Sequence, residues 1–403
     1  MWSYSPISDF ELDSFRPCSP TSDAAGLDAR ISAFMSKLDA RVPQRSATVL
    51  IQNGYVSFIH VQNEANGLSI RSVGDDDVRL LGSVLDGGDL FARMNEAFLP
   101  DAIVVEVFAN VVLDHPVVVV NWSLASDSVD PIGQACFPRI AVRLGENAQA
   151  SVVEIIAGGA KGGEKTLVVP VTELDVDDRA RLSYVALQSL DSSVWSIGYL
   201  SGRAGQDATV STFTMGLGGA YVRCRTDIAV TGTGASSKIK SVYLGTDEQV
   251  HDIRTKQDHC APHTTSDLLC KGAVAGSSRS IYSGLIRVRN GAVHTEAMQT
   301  NNNLILDEHA HADSVPNLDI EESDVRCSHA STIGTLDDDQ RYYLESRGVM
   351  PEQAERLIVL GFFDDIIEQV PIPELLEMLR HEVGIKLNSA LEIKEIDKVI
   401  VDT

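Results

Sequence analysis

Positive charge is scarce in this 403-residue chain: 33 lysines and arginines stand against 57 aspartates and glutamates, a formal net charge of -24. Such an excess repels phosphate backbones and anionic headgroups, which excludes binding of nucleic acid or an acidic membrane surface by bulk electrostatics; a basic partner fits better. Long apolar runs are missing too. No stretch reaches about 18 apolar residues, and no charged start leads into an apolar segment, so neither membrane insertion nor export is indicated and a cytoplasmic location is expected. Cysteine is sparse. The six (Cys18, Cys136, Cys224, Cys260, Cys270, Cys327) are scattered without any Cys-x-x-Cys or disulfide-framework spacing, which suits a reducing compartment and mostly buried, inert thiols.

What is present is enough apolar material, 44% of residues, for a sizeable core and more than one structural unit. Three zones differ in texture. Residues 1–101 mix an amphipathic stretch near Ala29 to Ala40, strand-like Thr48 to Ile51 and Val56 to Ile59, and a helix-like Leu90 to Phe98, an α/β lead-in. Residues 102–330 consist of short Val-, Ile- and Thr-rich runs such as Val117 to Val120, Leu167 to Val171 and Ile281 to Val288, parted by Gly, Asn, Asp and Ser. With no helical pattern to serve as crossovers, that zone is a sandwich, a barrel or a parallel β-helix. Asn301-Asn302-Asn303 would suit a stacked coil turn, although plain loops also favour Asn. Residues 331–403 read as helical. Asp337 to Ser346 stops at Gly348, Pro351 opens a second helix, and a third begins around Pro373; Leu387 to Val401 is mixed and assigns no structure. Amphipathic helices at the end of a β domain cap it or dock a partner.

Cys327 and His329 are the candidate metal ligands. In an extended Asp324-Val325-Arg326-Cys327-Ser328-His329-Ala330 the period of two puts thiol and imidazole on one face, where both could reach one ion. Structural zinc sites take four protein ligands, and nothing adjacent supplies two more, so either a second chain completes the site or the pair is structural. As structural residues, Cys327 would be a small buried hydrophobe and His329 a side chain bonded to a carbonyl. His259-Cys260-Ala261-Pro262-His263 imitates a metal cluster, but neighbours in a strand face opposite ways and Pro262 marks a turn, so structural use is expected. His309 and His311 read as a solvated edge.

Gly158-Gly159-Ala160-Lys161-Gly162-Gly163-Glu164-Lys165-Thr166 nearly spells a phosphate-binding loop. Glu164 intrudes where the loop should approach phosphate, and the apolar run after it reads as a strand, whereas such a loop must open a helix. It is a turn between strands, and no ATP site is expected in this chain.

An ordered series of motifs carries a resemblance. Asp267-Leu268-Leu269-Cys270-Lys271-Gly272, Ser278 to Gly284, Gln299-Thr300-Asn301-Asn302-Asn303-Leu304 and Ser314 to Ile320 lead to Cys327-Ser328-His329-Ala330, followed by Tyr343 to Gly348 and Gly361-Phe362-Phe363. Upstream, Trp2 to Ile7, Phe91 to Phe98 and Leu113 to Val117 also fit. The series resembles the SufB/SufD family of iron-sulfur cluster assembly proteins. That resemblance implies a right-handed parallel β-helix core at 102–330, an N-terminal α/β region at 1–101 and a C-terminal helical region at 331–403 that docks an ATPase subunit. It implies a non-catalytic scaffold that pairs with a SufB-like paralogue and binds SufC, an ABC-type ATPase; a cysteine desulfurase system reached through SufB is a further implied partner. SufB-like chains follow the corresponding His with Glu and carry additional cysteines; here Ala330 follows His329, and Phe362-Phe363 stands where a cysteine is common, so a SufD-like member is favoured. Cys327 and His329 are then expected at the SufB–SufD interface, with iron or a transient iron-sulfur cluster as their target and the remaining ligands from SufB. The alternatives are a SufB-like cluster carrier, or a β-helix enzyme acting on polysaccharide, which would need clustered carboxylates that form no evident motif here.

Overall fold

The computed structural model describes residues 5, 7, 10–19, 29–62, 66–73, 81–85, 89–124, 132–159 and 165–391. Trp2 and most of the opening motif, the Ala160-to-Glu164 part of the glycine-rich turn, and the segment after Leu391 lie outside them.

From Arg181 onward the chain is built from strands of mostly ten residues, ending with Thr265–Val274, Arg279–Val288, Glu296–Ile305, His311–Ile320 and Arg326–Thr335. Each pairs in parallel with the strand after next. Thr209 lies beside Ser236, Ser236 beside Thr265, Thr265 beside Glu296 and Glu296 beside Arg326. The intervening strands form a second parallel stack, in which Tyr221 is followed by Val250, Arg279 and His311. Two sheets wound alternately by one chain make a parallel β-helix, which decides among the three architectures left open by the strand pattern.

Corners explain why the coils stack. One residue per coil adopts a left-handed backbone: Asn110, Asn147, Arg179, Asp207, Gly234, His263 and His294. Each sends its N–H to the carbonyl of the residue just before its successor, from Asn110 to Glu146 at 2.8 Å through His263 to Val293 at 2.9 Å, and the ladder ends on the Asp324 carbonyl. Backbone polar groups at every corner of this edge are thereby satisfied. Asn301-Asn302-Asn303 is not a corner. It sits mid-strand, with Asn301 and Asn303 pointing into the lumen, where their amides bond to the Tyr243 hydroxyl and to each other. Polar side chains satisfied inside a coil are compatible with a strand.

The N-terminal α/β region extends both sheets. Ala47–Gln52 forms an antiparallel hairpin with Tyr55–Val61 and a parallel pair with Val117–Leu124, while Leu68–Ser72 runs antiparallel to Ile103–Val107. Helix Leu90–Phe98 is capped by the buried Asp89, whose carboxylate accepts from Phe91 N–H and pairs with Arg223 at 2.7 Å, which fastens the helix to the first sheet. At the other end, helices Asp338–Ser346, Pro351–Ile367 and Leu376–Ala390 follow the last strand. Asp337 caps the first, Gly348 is left-handed just beyond it, and Pro351 occupies the first turn of the second. Val359, Phe363, Ile366, Leu379, Val383 and Leu387 pack on the outer face of the second sheet at Val242, Leu244 and Ala273. Lys271 reinforces the seam, donating to the Phe362 carbonyl at 2.9 Å and to Asp365 at 2.6 Å. No helix among the described residues is long and apolar enough to cross a membrane.

Candidate functional site at the open end of the β-helix

The last strand, Arg326–Thr335, pairs on one side only, with Glu296–Ile305, and His311–Ile320 ends the other sheet in the same way. One end of the β-helix therefore presents two strand edges and an uncovered coil. Residues that would be lumenal in an inner coil stand exposed there: Leu318 at 38%, Ile320 at 40% and Ile333 at 43%. Three large aliphatic side chains facing solvent at one end form a patch of the kind that partners cover.

Cys327 and His329 lie on this strand, on the inward-facing row. Cys327 is opposite the buried Ala297, and His329 is opposite the buried Gln299. Val325 and the half-buried Cys327 pack against Ile286, Val288, Ala292 and Ala297, the apolar plug of the final coils. Burial pushes the thiol above its ordinary value, with a backbone hydrogen bond from Ala297 acting against it. A free thiolate is disfavoured there, whereas a bound metal would deprotonate the thiol outright. His329 is exposed two residues on. Its neighbour Gln299 has both amide atoms buried without a hydrogen-bond partner among the described residues. Further along the same rows, Ser331 donates to Ser314 at 2.7 Å and Ser314 to Asn301 at 2.9 Å, so the mouth of the lumen is polar behind its aliphatic rim. Among the described residues, no group of three or more His, Cys, Asp and Glu is placed to hold a metal ion. The chain offers two donors on one face of an unpaired strand, and a complete ligand set would have to include groups from outside it.

The other histidine motifs fall where their spacing pointed. His259 is fully buried with ring nitrogens 2.8 Å from Thr264 and Ser266 hydroxyls, a structural residue. His263 is a corner residue whose ring lies 4.8 Å from that of His294. His309 and His311 are exposed beside Glu308 and Asp313. The glycine-rich turn connects strand Gln149–Gly159 to strand Thr166–Val168, with no helix opening after it. The run from Leu167 to Val171 is not one strand: it breaks at Val169-Pro170, where proline lacks the N–H a ladder needs, and resumes as Val171–Val176. Sequence reading missed the aliphatic rim, since Leu318, Ile320 and Ile333 alternate like any lumenal residues. A second surface feature lies in the C-terminal helices, a groove of about 490 Å³ lined by Asp339, Gln340, Tyr343, Leu344, Leu357 and Ile358.

Residues 125–362 match the family model described as "SUF system FeS cluster assembly, SufBD core domain". The chain belongs to the SufBD family. The matched stretch takes in most of the β-helix, both candidate ligands and the first helices behind them. An iron-sulfur cluster assembly SufBD family protein of Mycobacterium tuberculosis is 34% identical over 265 residues, covering 63% of this chain and 65% of that protein. The iron-sulfur cluster assembly protein SufD of Escherichia coli is 33% identical over 182 residues, 45% of this chain and 43% of SufD. A further SufBD family protein, from Mycobacterium bovis, is 29% identical over 210 residues, which cover 52% of this chain and 25% of that protein. The chain thus spans less than two thirds of the length of these SufBD relatives.

Proposed function

We propose that this chain is the SufD-like, non-catalytic scaffold subunit of a SufBCD-type assembly complex. Its β-helix core, residues 102–330 and the strand that completes it, pairs with a SufB-like paralogue through the open end. The helical region, residues 331–403, docks a SufC-like ABC-type ATPase, and the N-terminal region at 1–101 steadies the opposite end. A cysteine desulfurase reaches the complex through the SufB-like partner. The observation that carries this reading is the position of Cys327 and His329: two soft-metal donors on one face of a strand whose other edge is unpaired. Two ligands are what one side of a shared site contributes, and thiolate with imidazole suits iron or a nascent iron-sulfur cluster as cargo. Exposed Tyr342, Tyr343, Met350 and Leu357 around the helical groove support the docking role of those helices.

The test is anaerobic co-expression with SufB-like and SufC-like partners, comparing wild type with His329→Ala. The expected result is an intact complex whose cluster absorbance falls at least several-fold. Unchanged cluster yield would remove His329 from the site, and a chain that retains neither partner would remove the scaffold role.

A further inference from the structure

Two of the six cysteines are not scattered once the chain is folded. Strand Phe15–Pro17 runs parallel to Gly133–Cys136 with Pro17 opposite Ala135, and the Cys18 N–H continues the ladder to the Ala135 carbonyl at 2.9 Å. That register sets Cys18 directly across from Cys136, with their sulfurs 2.8 Å apart. The separation is less than 1 Å longer than the roughly 2.05 Å of a covalent sulfur–sulfur bond, and the spacing of paired strands lies within the Cα range that disulfides span. The pair joins segments 118 residues apart. Its surroundings hold it in place: the Tyr55 hydroxyl donates to the Cys18 carbonyl at 3.1 Å, and Gln134 Oε1 lies 3.5 Å from the Cys18 sulfur.

We propose that Cys18 and Cys136 are an oxidisable dithiol that closes to a disulfide under peroxide and staples the N-terminal segment to the first sheet. Cys18, 9% exposed against 1% for Cys136, is the member that meets the oxidant. Its thiolate attacks one peroxide oxygen; the O–O bond breaks, and the departing hydroxide takes a proton to leave as water, giving a sulfenic acid. The Cys136 sulfur then attacks the sulfenic sulfur, the S–S bond forms, the S–O bond breaks, and the leaving hydroxide combines with the Cys136 proton as a second water. Two electrons pass from the two thiols to one peroxide. Burial and the hydrogen bond with Cys18 hold the Cys136 thiol above its ordinary value, which fits it to resolve rather than to initiate. The closed bond fixes a segment now attached by a three-residue strand and by the packing of Phe10 and Phe15 near Phe91 and Trp195.

The experiment titrates thiols of the full chain under denaturing conditions before and after stoichiometric hydrogen peroxide, then maps linked peptides by mass spectrometry. Wild type should lose two of its six thiols and yield one linked peptide pair joining Cys18 to Cys136. Cys327→Ser should lose the same two. Cys136→Ser should form no link and should instead trap dimedone at Cys18, a readout that persists whether or not the variant is as stable as wild type. Six retained thiols in wild type, a link between other cysteines, or dimedone at another residue in Cys136→Ser would overturn the proposal.

Discussion

Mild acid should weaken this fold before its carboxylates titrate, because two imidazoles are held neutral inside the β-helix. His251 faces the lumen from strand Val250–His259, wholly buried, with its ring 6.4 Å from that of Tyr243 and neither nitrogen bonded among the described residues. Burial, and secondarily the Lys386 ammonium, lower its pKa to about 3. His259 ends the same strand, and burial lowers it to about 4 against the opposing pull of Asp258. Both folded values lie below the roughly 6.5 of a free imidazole, so the unfolded chain binds more protons as pH falls. The stability is therefore present above about pH 6.5 and is lost progressively towards pH 4 and 3. At about 1.4 kcal/mol per pH unit and per proton, moving from pH 7.5 to 5 costs roughly 2 kcal/mol for each histidine. About 4 kcal/mol for the pair is a large part of the 5–15 kcal/mol typical of a domain. Glu154, raised by burial, acts in the opposite sense, so the decisive measurement is a difference between two proteins. Urea unfolding followed by circular dichroism between pH 7.5 and 5 should show a pH slope smaller by about one proton in His251→Leu than in wild type. Equal slopes would refute the reasoning, since they would mean that His251 titrates alike in the folded and unfolded chain.

Two further perturbations probe the lumen and its mouth. Gly272 has a Cβ position 1.9 Å from the Tyr243 ring, and the hydroxyl of that ring is tied to Asn301 and Asn303, so Gly272→Ala should cost about 3 kcal/mol by overpacking. A thermal-unfolding double-mutant cycle with Tyr243→Ala should return a coupling above about 1 kcal/mol, and additivity would show that the ring is free to move aside. Ile333→Asp should leave the isolated chain within about 0.5 kcal/mol of wild type, because the residue is exposed, yet reduce retention of a co-expressed SufB-like partner at least tenfold through an unpaired charge at the interface. Undiminished retention would place the partner elsewhere.

Local signals in the sequence translated well. Leu90–Phe98, the Asp337 cap, Gly348 and Pro351 stand where their periodicity and end chemistry set them, because each depends on neighbours within one or two turns. The winding of the strands was not legible by pattern. Each strand's partner lies a full coil away, and the corner residues (Asn, Arg, Asp, Gly and His) share a backbone conformation but no side chain, so no repeat shows. Polar lumenal rows hid a strand as well: Asn301 and Asn303 look like a turn until Tyr243 is seen to bond both. The common face of Cys327 and His329 followed from the period of two, whereas the exposure of that face depends on which coil is last, which alternation does not encode.

The treatment of that last coil is the strongest physical pointer to a partner. A ten-residue parallel strand with an unpaired edge is a template for association, and proteins blunt such edges with a helix, a proline, a bulge or a very short strand. Arg326–Thr335 has no proline and runs its full length beside Glu296–Ile305 without a register shift. Helices follow immediately, and three of them would suffice as a cap. They are spent on the outer face of the second sheet, where Phe363, Leu379 and Leu387 bury themselves against Val242 and Leu244. The rim of Leu318, Ile320 and Ile333 is left to solvent although covering material lies next in the chain. An edge left open beside available cover is an edge kept for another chain, and the inward row of that edge is where Cys327 and His329 stand.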